Sequence, residues 1–162
     1  MRLMSIRPFE TAETPSSGSV RQLSVFLENR VGQLLRLLQV LHASTVRVRA
    51  LSIVHATDCA IVRLICDDTD TAKRHLRDEN FAVSESDVVA VQLPPGSSLL
   101  MVCAALLSAE ININYVYPLL GTSNGQMAIA LSCDDILTAA AVLRHRKFQI
   151  LTEDELGPGP TR

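Results

Sequence analysis

The chain has 162 residues, 48% of them apolar and 20% charged, with a formal net charge of −2 at pH 7. That length fits one ordinary domain or two small ones, and it buries roughly 70% of the surface exposed by the unfolded chain. The absence of a basic block, with aromatics at only 4% and no Trp, argues against a nucleic-acid partner or an anionic membrane surface.

Residues 1–19 are rich in Pro, Ser, Gly and Thr and carry Glu10 and Glu13 with no apolar core, so they read as a flexible arm and not as a secretory signal. The longest fully apolar run, Leu99 to Leu107, has nine residues. A membrane span needs about 20. Cys59, Cys66, Cys103 and Cys133 form no C-x-x-C pair and sit in apolar runs. They read as free thiols of a cytoplasmic protein.

Leu23, Val25 and Leu27 alternate, which predicts a strand. Glu28, Asn29, Arg30, Val31 and Gly32 form a polar turn, and Leu34, Leu37, Leu38 and Leu41 then recur at helical spacing. Residues 46–56 read as a second strand whose apolar phase slips between Val48 and Leu51, as at a bulge. Residues 59–66 are a third strand. Asp67 or Asp68 then caps a second helix with Ala72 and Leu76 inside, and a fourth strand starts at Phe81.

The order then repeats. Residues 66–83 align with 133–150 at an offset of 67, with eight identities in 18 positions and no gap. Upstream, Val46 and Val48 align with Ile111 and Ile113, and a matching phase slip falls between Ile113 and Val116. A duplicated unit of β-α-β-β-α-β order is expected. The fold class is α+β, with two tandem ferredoxin-like units, each an antiparallel sheet with helices on one face. The expected divisions are an arm over 1–19, unit one over 20–86, unit two over 87–156 and a flexible tail over 157–162. Sheets covered on one side leave a second face, where Phe26, Ile61 and Ile65 fall. Pairing between units, or in a homodimer, is expected to cover it.

This fold hosts many activities, so residues must decide among them. The first turn lacks the Met-x-Cys-x-x-Cys loop of a copper chaperone. The central strands lack the aromatics of an RNA-recognition domain. Arg30 and Asn29 lie in the loop an acylphosphatase-like enzyme would use, but its glycine-rich cradle is missing. No nucleophile, base and orienting group can be assembled, so no catalytic residue is expected. The four His show no ligand spacing, and the repeated Asp pairs sit at helix starts. No metal and no cofactor are expected.

Residues 20–34, with 81–96 and 106–119, resemble the ACT domain family, and the order of both copies resembles a small stand-alone protein of two ACT domains. The resemblance covers about residues 20–156. It implies a non-catalytic regulatory protein that binds a small ligand, often an amino acid, where two ACT domains meet. The site lies between the turn after the first strand of one domain and a strand of another. It also implies a regulated enzyme in trans. Residues Glu28, Asn29, Val31, Gly32, Gln33 and Leu34 are the corresponding turn here, and a helix N-terminus there suits a carboxylate. Tyr115 and Tyr117 lie on a strand facing such an interface, where pocket lining and plain packing are both open. Gly32 as mere turn geometry and Asn29 as a helix cap are open too. Unit two has Pro94 and Pro95 in place of the acidic and amide pair, which puts an equivalent second site in question. The alternative function is an assembly module of the same fold that binds no ligand.

Overall fold

A computed structural model describes residues 18–122 and 124–156. Most of the arm and all of the tail expected above lie outside the described residues. Seven strands and five helices follow in chain order: β1 (Val20–Glu28), α1 (Gln33–Ala43), β2 (Val48–His55), β3 (Cys59–Cys66), α2 (Thr69–Asp78), β4 (Ala82–Leu93), α3 (Leu99–Leu107), β5 (Ile113–Pro118), β6 (Met127–Cys133), α4 (Ile136–His145), β7 (Gln149–Leu151) and α5 (Glu153–Leu156). Up to β7 this is the duplicated β-α-β-β-α-β order. The short α5 had no signal in the sequence.

The strands form one antiparallel sheet in the order β2-β3-β1-β4-β6-β5, with β7 also paired to β4. The twelve-residue β4 serves both units. Its residues Ala82 to Val88 pair with β1, and Val89 to Leu93 pair with β6, while Ala90 to Gln92 also meet β7. No linker separates the units: Ser84, Glu85, Ser86 and Asp87 are strand residues. The sheet curls until its two ends meet, where Ala50 bridges Leu119 and the Leu120 N–H donates to the Arg49 carbonyl at 2.7 Å.

Local chemistry explains the repeated elements. Asp68 caps α2 by accepting the Thr71 N–H at 3.0 Å, and Asp135 caps α4 by accepting the Thr138 N–H at 2.9 Å. The Thr71 N–H and hydroxyl hold Asp68, and the Thr138 hydroxyl and then its N–H hold Asp135, below the usual carboxylate range. The preceding Asp67 and Asp134 instead accept the N–H groups of Arg47 and Asn112, pinning the start of the second strand in each unit. Both Asp pairs are thus spent on backbone. After the helices the chain turns through left-handed residues at matching places, Thr45 and Glu110, then Asn80 and Lys147. Behind the latter two, the N–H groups of Phe81 and Phe148 close back onto Leu76 and Leu143 carbonyls at 2.9 and 3.0 Å. The phase slips are real register shifts, between Val48 and Ala50 and between Ile113 and Tyr115.

Three cores result. Leu23, Val25 and Leu27 of β1 pack under Leu37 and Leu41 of α1 and Leu76 of α2. Val89 and Val91 pack under Val102, Leu106 and Leu143 in the second unit. Each fully buried aliphatic side chain contributes about 1.5–3 kcal/mol. The third core lies between the two sheet faces away from the helices: Val20, Ala50, Ile65 and Val88 meet Ala90, Ala128, Ala130, Tyr117 and Leu151. Alanines on one side let the faces approach closely. Ile65 is therefore covered within the chain, whereas Phe26 stays 43% exposed beyond the contact.

Candidate ligand-binding site

The turn between β1 and α1 is built around Gly32, which sits at φ 88° as the N-cap of α1. A Cβ there would meet nothing within 4 Å, so glycine is required by the left-handed backbone and not by crowding. The Arg30 N–H donates to the Glu28 carbonyl at 2.8 Å, and Gln33 N–H to the Arg30 carbonyl at 3.4 Å. Glu28 and Arg30 form an exposed ion pair. No side chain caps α1, and no acidic residue lies in its first turn. Asn29 is thus not a cap; it is exposed and makes no hydrogen bond among the described residues. The positive end of α1 is left open to solvent beneath a fully exposed Val31. Gln33 and Leu34 are half-buried at its base.

The corresponding turn of unit two, residues 94–98, carries Gly96 at φ 84°, and Ser98 is the N-cap of α3 without a side-chain cap bond. It keeps a left-handed glycine but places it two residues before the cap, with prolines where unit one has Glu28 and Asn29.

Tyr115 and Tyr117 lie elsewhere. Both reach across the contact between the sheet faces to Gln22, which is 0% exposed. The Tyr117 hydroxyl donates to Gln22 Oε1 at 2.6 Å, and Gln22 Nε2 donates to the Tyr115 hydroxyl at 2.9 Å and to Ser86 Oγ at 3.2 Å. The Arg63 guanidinium lies 3.8 Å from the Tyr115 ring centre. Burial pushes the Tyr117 phenol well up from its usual range. Gln22 stands six residues before Glu28, about 20 Å along the strand. Within one chain the tyrosines and the turn do not form a single pocket.

A polar cleft of about 490 Å³ opens at the other end of α1, lined by Thr45, Asp67, Asp68, Thr71, Arg21 and Glu153 among others. Its cation is fully engaged. Arg21 Nε and Nη2 donate to Glu153 at 2.8 and 3.0 Å, and Nη1 and Nη2 donate to Asp70 at 2.8 and 3.2 Å. The carboxylates of this cleft are already bonded to backbone N–H groups and to Arg21, which suits a structural clasp more than a receptor. Gln22, Arg63 and Glu153 were missed by sequence reasoning. Their only sequence signal is a polar residue interrupting an apolar strand, as Gln22 and Arg63 do; Glu153 has none.

Two tandem units of an antiparallel sheet with helices on one face, each with a left-handed glycine before its first helix, define a paired ferredoxin-like α+β fold. The chain belongs to the ACT domain family: residues 18–158 match its "ACT domain pair". Among solved structures it is similar to protein BT0572 from Bacteroides thetaiotaomicron, at 31% identity, covering 85% of this chain and 95% of that one with a TM-score of 0.75. It shares its fold with the ligand-free regulatory subunit of aspartate kinase from Thermus thermophilus, at 13% identity, 82% and 98% coverage and a TM-score of 0.54. The Thermus flavus regulatory subunit is comparable, at 12% identity, 80% and 97% coverage and 0.52. No match was found among curated proteins. Membership of the family supports a non-catalytic, regulatory, ligand-binding role. Among the described residues no helix is long and apolar enough to cross a membrane.

Proposed function

We propose that the protein binds a free amino acid at the turn formed by Glu28, Asn29, Val31, Gly32, Gln33 and Leu34, and that binding regulates an enzyme in trans. The observation that carries this reading is the uncapped N-terminus of α1 behind a left-handed Gly32, exposed in a chain of the ACT family. Backbone N–H groups there suit a carboxylate, and the unengaged Asn29 amide suits the ammonium. The turn is open within one chain, so a neighbouring ACT unit completes the site in this reading, most simply in a homodimer with units 20–86 and 87–156 in each copy. The regulatory subunits of aspartate kinase that share the fold support a partner enzyme, and the free cysteines support a cytoplasmic setting.

Thermal-shift measurement with each of the twenty amino acids tests the reading. A ligand at about 100 times its Kd stabilises the folded chain by about 2.7 kcal/mol, which raises Tm by roughly 5–10 °C. Because Asn29 makes no bond of its own, Asn29→Ala should leave the unliganded Tm nearly unchanged while weakening binding by about 1–3 kcal/mol. If no amino acid shifts Tm, the turn is not an amino-acid site and the assembly-module reading replaces it.

A further inference from the structure

The two units are built alike, which gives the chain an internal control for its own surface. The outward stripe of α1 is Leu35, Gln39 and His42, and that of α2 is Asp70, Arg74 and Arg77, all exposed. The matching residues of unit two are Leu100, Ala104 and Leu107 on α3 and Leu137, Ala141 and Arg144 on α4, also exposed. Arg36 is likewise matched by Met101. Five polar positions have become apolar, and α3 carries no charged residue at all. Leu100 and Leu107 are each 76% exposed, Leu137 64% and Met101 50%. One fold with one polar and one apolar helical face shows that the apolar face is not demanded by the fold.

We propose that the α3–α4 face of unit two is where a second copy of this chain docks, about a two-fold axis. The exposed side chains of the face present on the order of 600 Å² per copy, hence about 1,200 Å² in a pair, at the lower edge of stable specific interfaces. The stripe is self-complementary. Leu100 and Leu107 lie symmetrically about Cys103 and Ala104, so an antiparallel α3 pair sets Leu100 against Leu107 of the other copy, with small residues at the crossing. No charge on α3 opposes its own image, and the net charge of −2 adds little repulsion. The sheet faces cannot provide such an interface at full size, because much of that surface is already buried between units.

This surface rests on the homodimer reading but not on the amino acid. Sedimentation velocity at micromolar concentration should give a dimer for the wild type. Leu107→Glu, at an exposed position, should raise the dimer dissociation constant at least about 100-fold, because each of the two symmetric contacts would bury an unpaired charge against Leu100 of the other copy, with the circular dichroism spectrum retained. Gln39→Glu, the matching change on unit one, should leave the dimer intact. In a Cys103→Ser background, Ala104→Cys should yield a covalent dimer with a short bis-maleimide, whereas Gln39→Cys should not. A monomeric wild type overturns both the surface and the homodimer. A dimer that survives Leu107→Glu, or fails to cross-link through position 104, overturns the surface alone. A monomeric wild type also removes the neighbouring unit that completes the amino-acid site, whereas loss of the surface alone leaves amino-acid binding to be read separately by the thermal shift.

Discussion

The Tyr117 hydroxyl donates a 2.6 Å hydrogen bond to Oε1 of Gln22, 95 residues earlier in the chain. It is a buried bond in a small polar cluster, with Tyr115 and Ser86, inside a largely apolar contact between the two sheet faces. Its value lies in position: only one placement of β5 over β1 satisfies Gln22, Tyr115 and Tyr117 together. Tyr117→Phe should destabilise the protein by about 1–3 kcal/mol, since Gln22 Oε1 is left buried without that donor. For a chain of this size that is a fall in Tm of roughly 2–4 °C per kcal/mol. Gln22→Leu should be comparably harmful alone, and the double variant should cost clearly less than the sum. Strict additivity in urea unfolding would show that the bond couples nothing.

Arg21 ties β1 to α5 through Glu153 and to α2 through Asp70. Burial pushes the Glu153 carboxyl up, but its bonds to Arg21 outweigh that and hold it below its usual range. The bond to Arg21 likewise lowers Asp70. Both folded-state values lie below the unfolded ones, so this stability is fully present above about pH 4.5 and is lost as pH falls through the folded values. Arg21→Gln should cost about 1 kcal/mol at neutral pH, after discounting for solvent screening of the half-exposed Arg21 and Glu153 and the exposed Asp70. The gap to wild type should stay constant from pH 8 to about pH 5 and narrow below about pH 4. A gap that widens in acid would contradict the clasp.

Thr45 adopts φ 63° at the end of α1, a left-handed conformation that a β-branched residue tolerates poorly. It is exposed, so little packing opposes its replacement. Thr45→Gly or Thr45→Asn should stabilise the chain by up to about 1 kcal/mol, seen as a raised urea midpoint at unchanged slope. A loss of stability would mean that its side chain holds the polar cleft together.

Burial, helped by Asp67 and Asp68, pushes the Cys66 thiol up to about 12. Burial also raises the buried Cys133. Thiolate-selective labelling at pH 8 should therefore modify the half-buried Cys59 and Cys103 first and leave Cys66 and Cys133 until the protein unfolds. Rapid labelling of all four thiols in the native protein would refute this order.

The repeat was legible because its signals are local. Asp-Asp before a helix, a phase slip in a strand and leucines at helical spacing each report on a few neighbouring residues. Both copies report alike, and the structure gives both Asp pairs the same two tasks. The open turn at Gly32 was legible for the same reason, since a glycine between strand and helix announces a left-handed bend. What the tertiary structure alone decided depends on partners far off in the chain. Glu85 and Asp87, polar and near a unit boundary, read locally as a junction, yet pairing with β1 makes them part of a continuous β4. Gln22 reads as a surface residue until the second sheet folds over it and supplies two hydroxyls. Tyr115 and Tyr117 face the expected interface but turn to that glutamine, because a buried amide without partners costs more than an unlined pocket. Local propensity is set by the residue itself, whereas burial is set by whatever the rest of the chain brings against it.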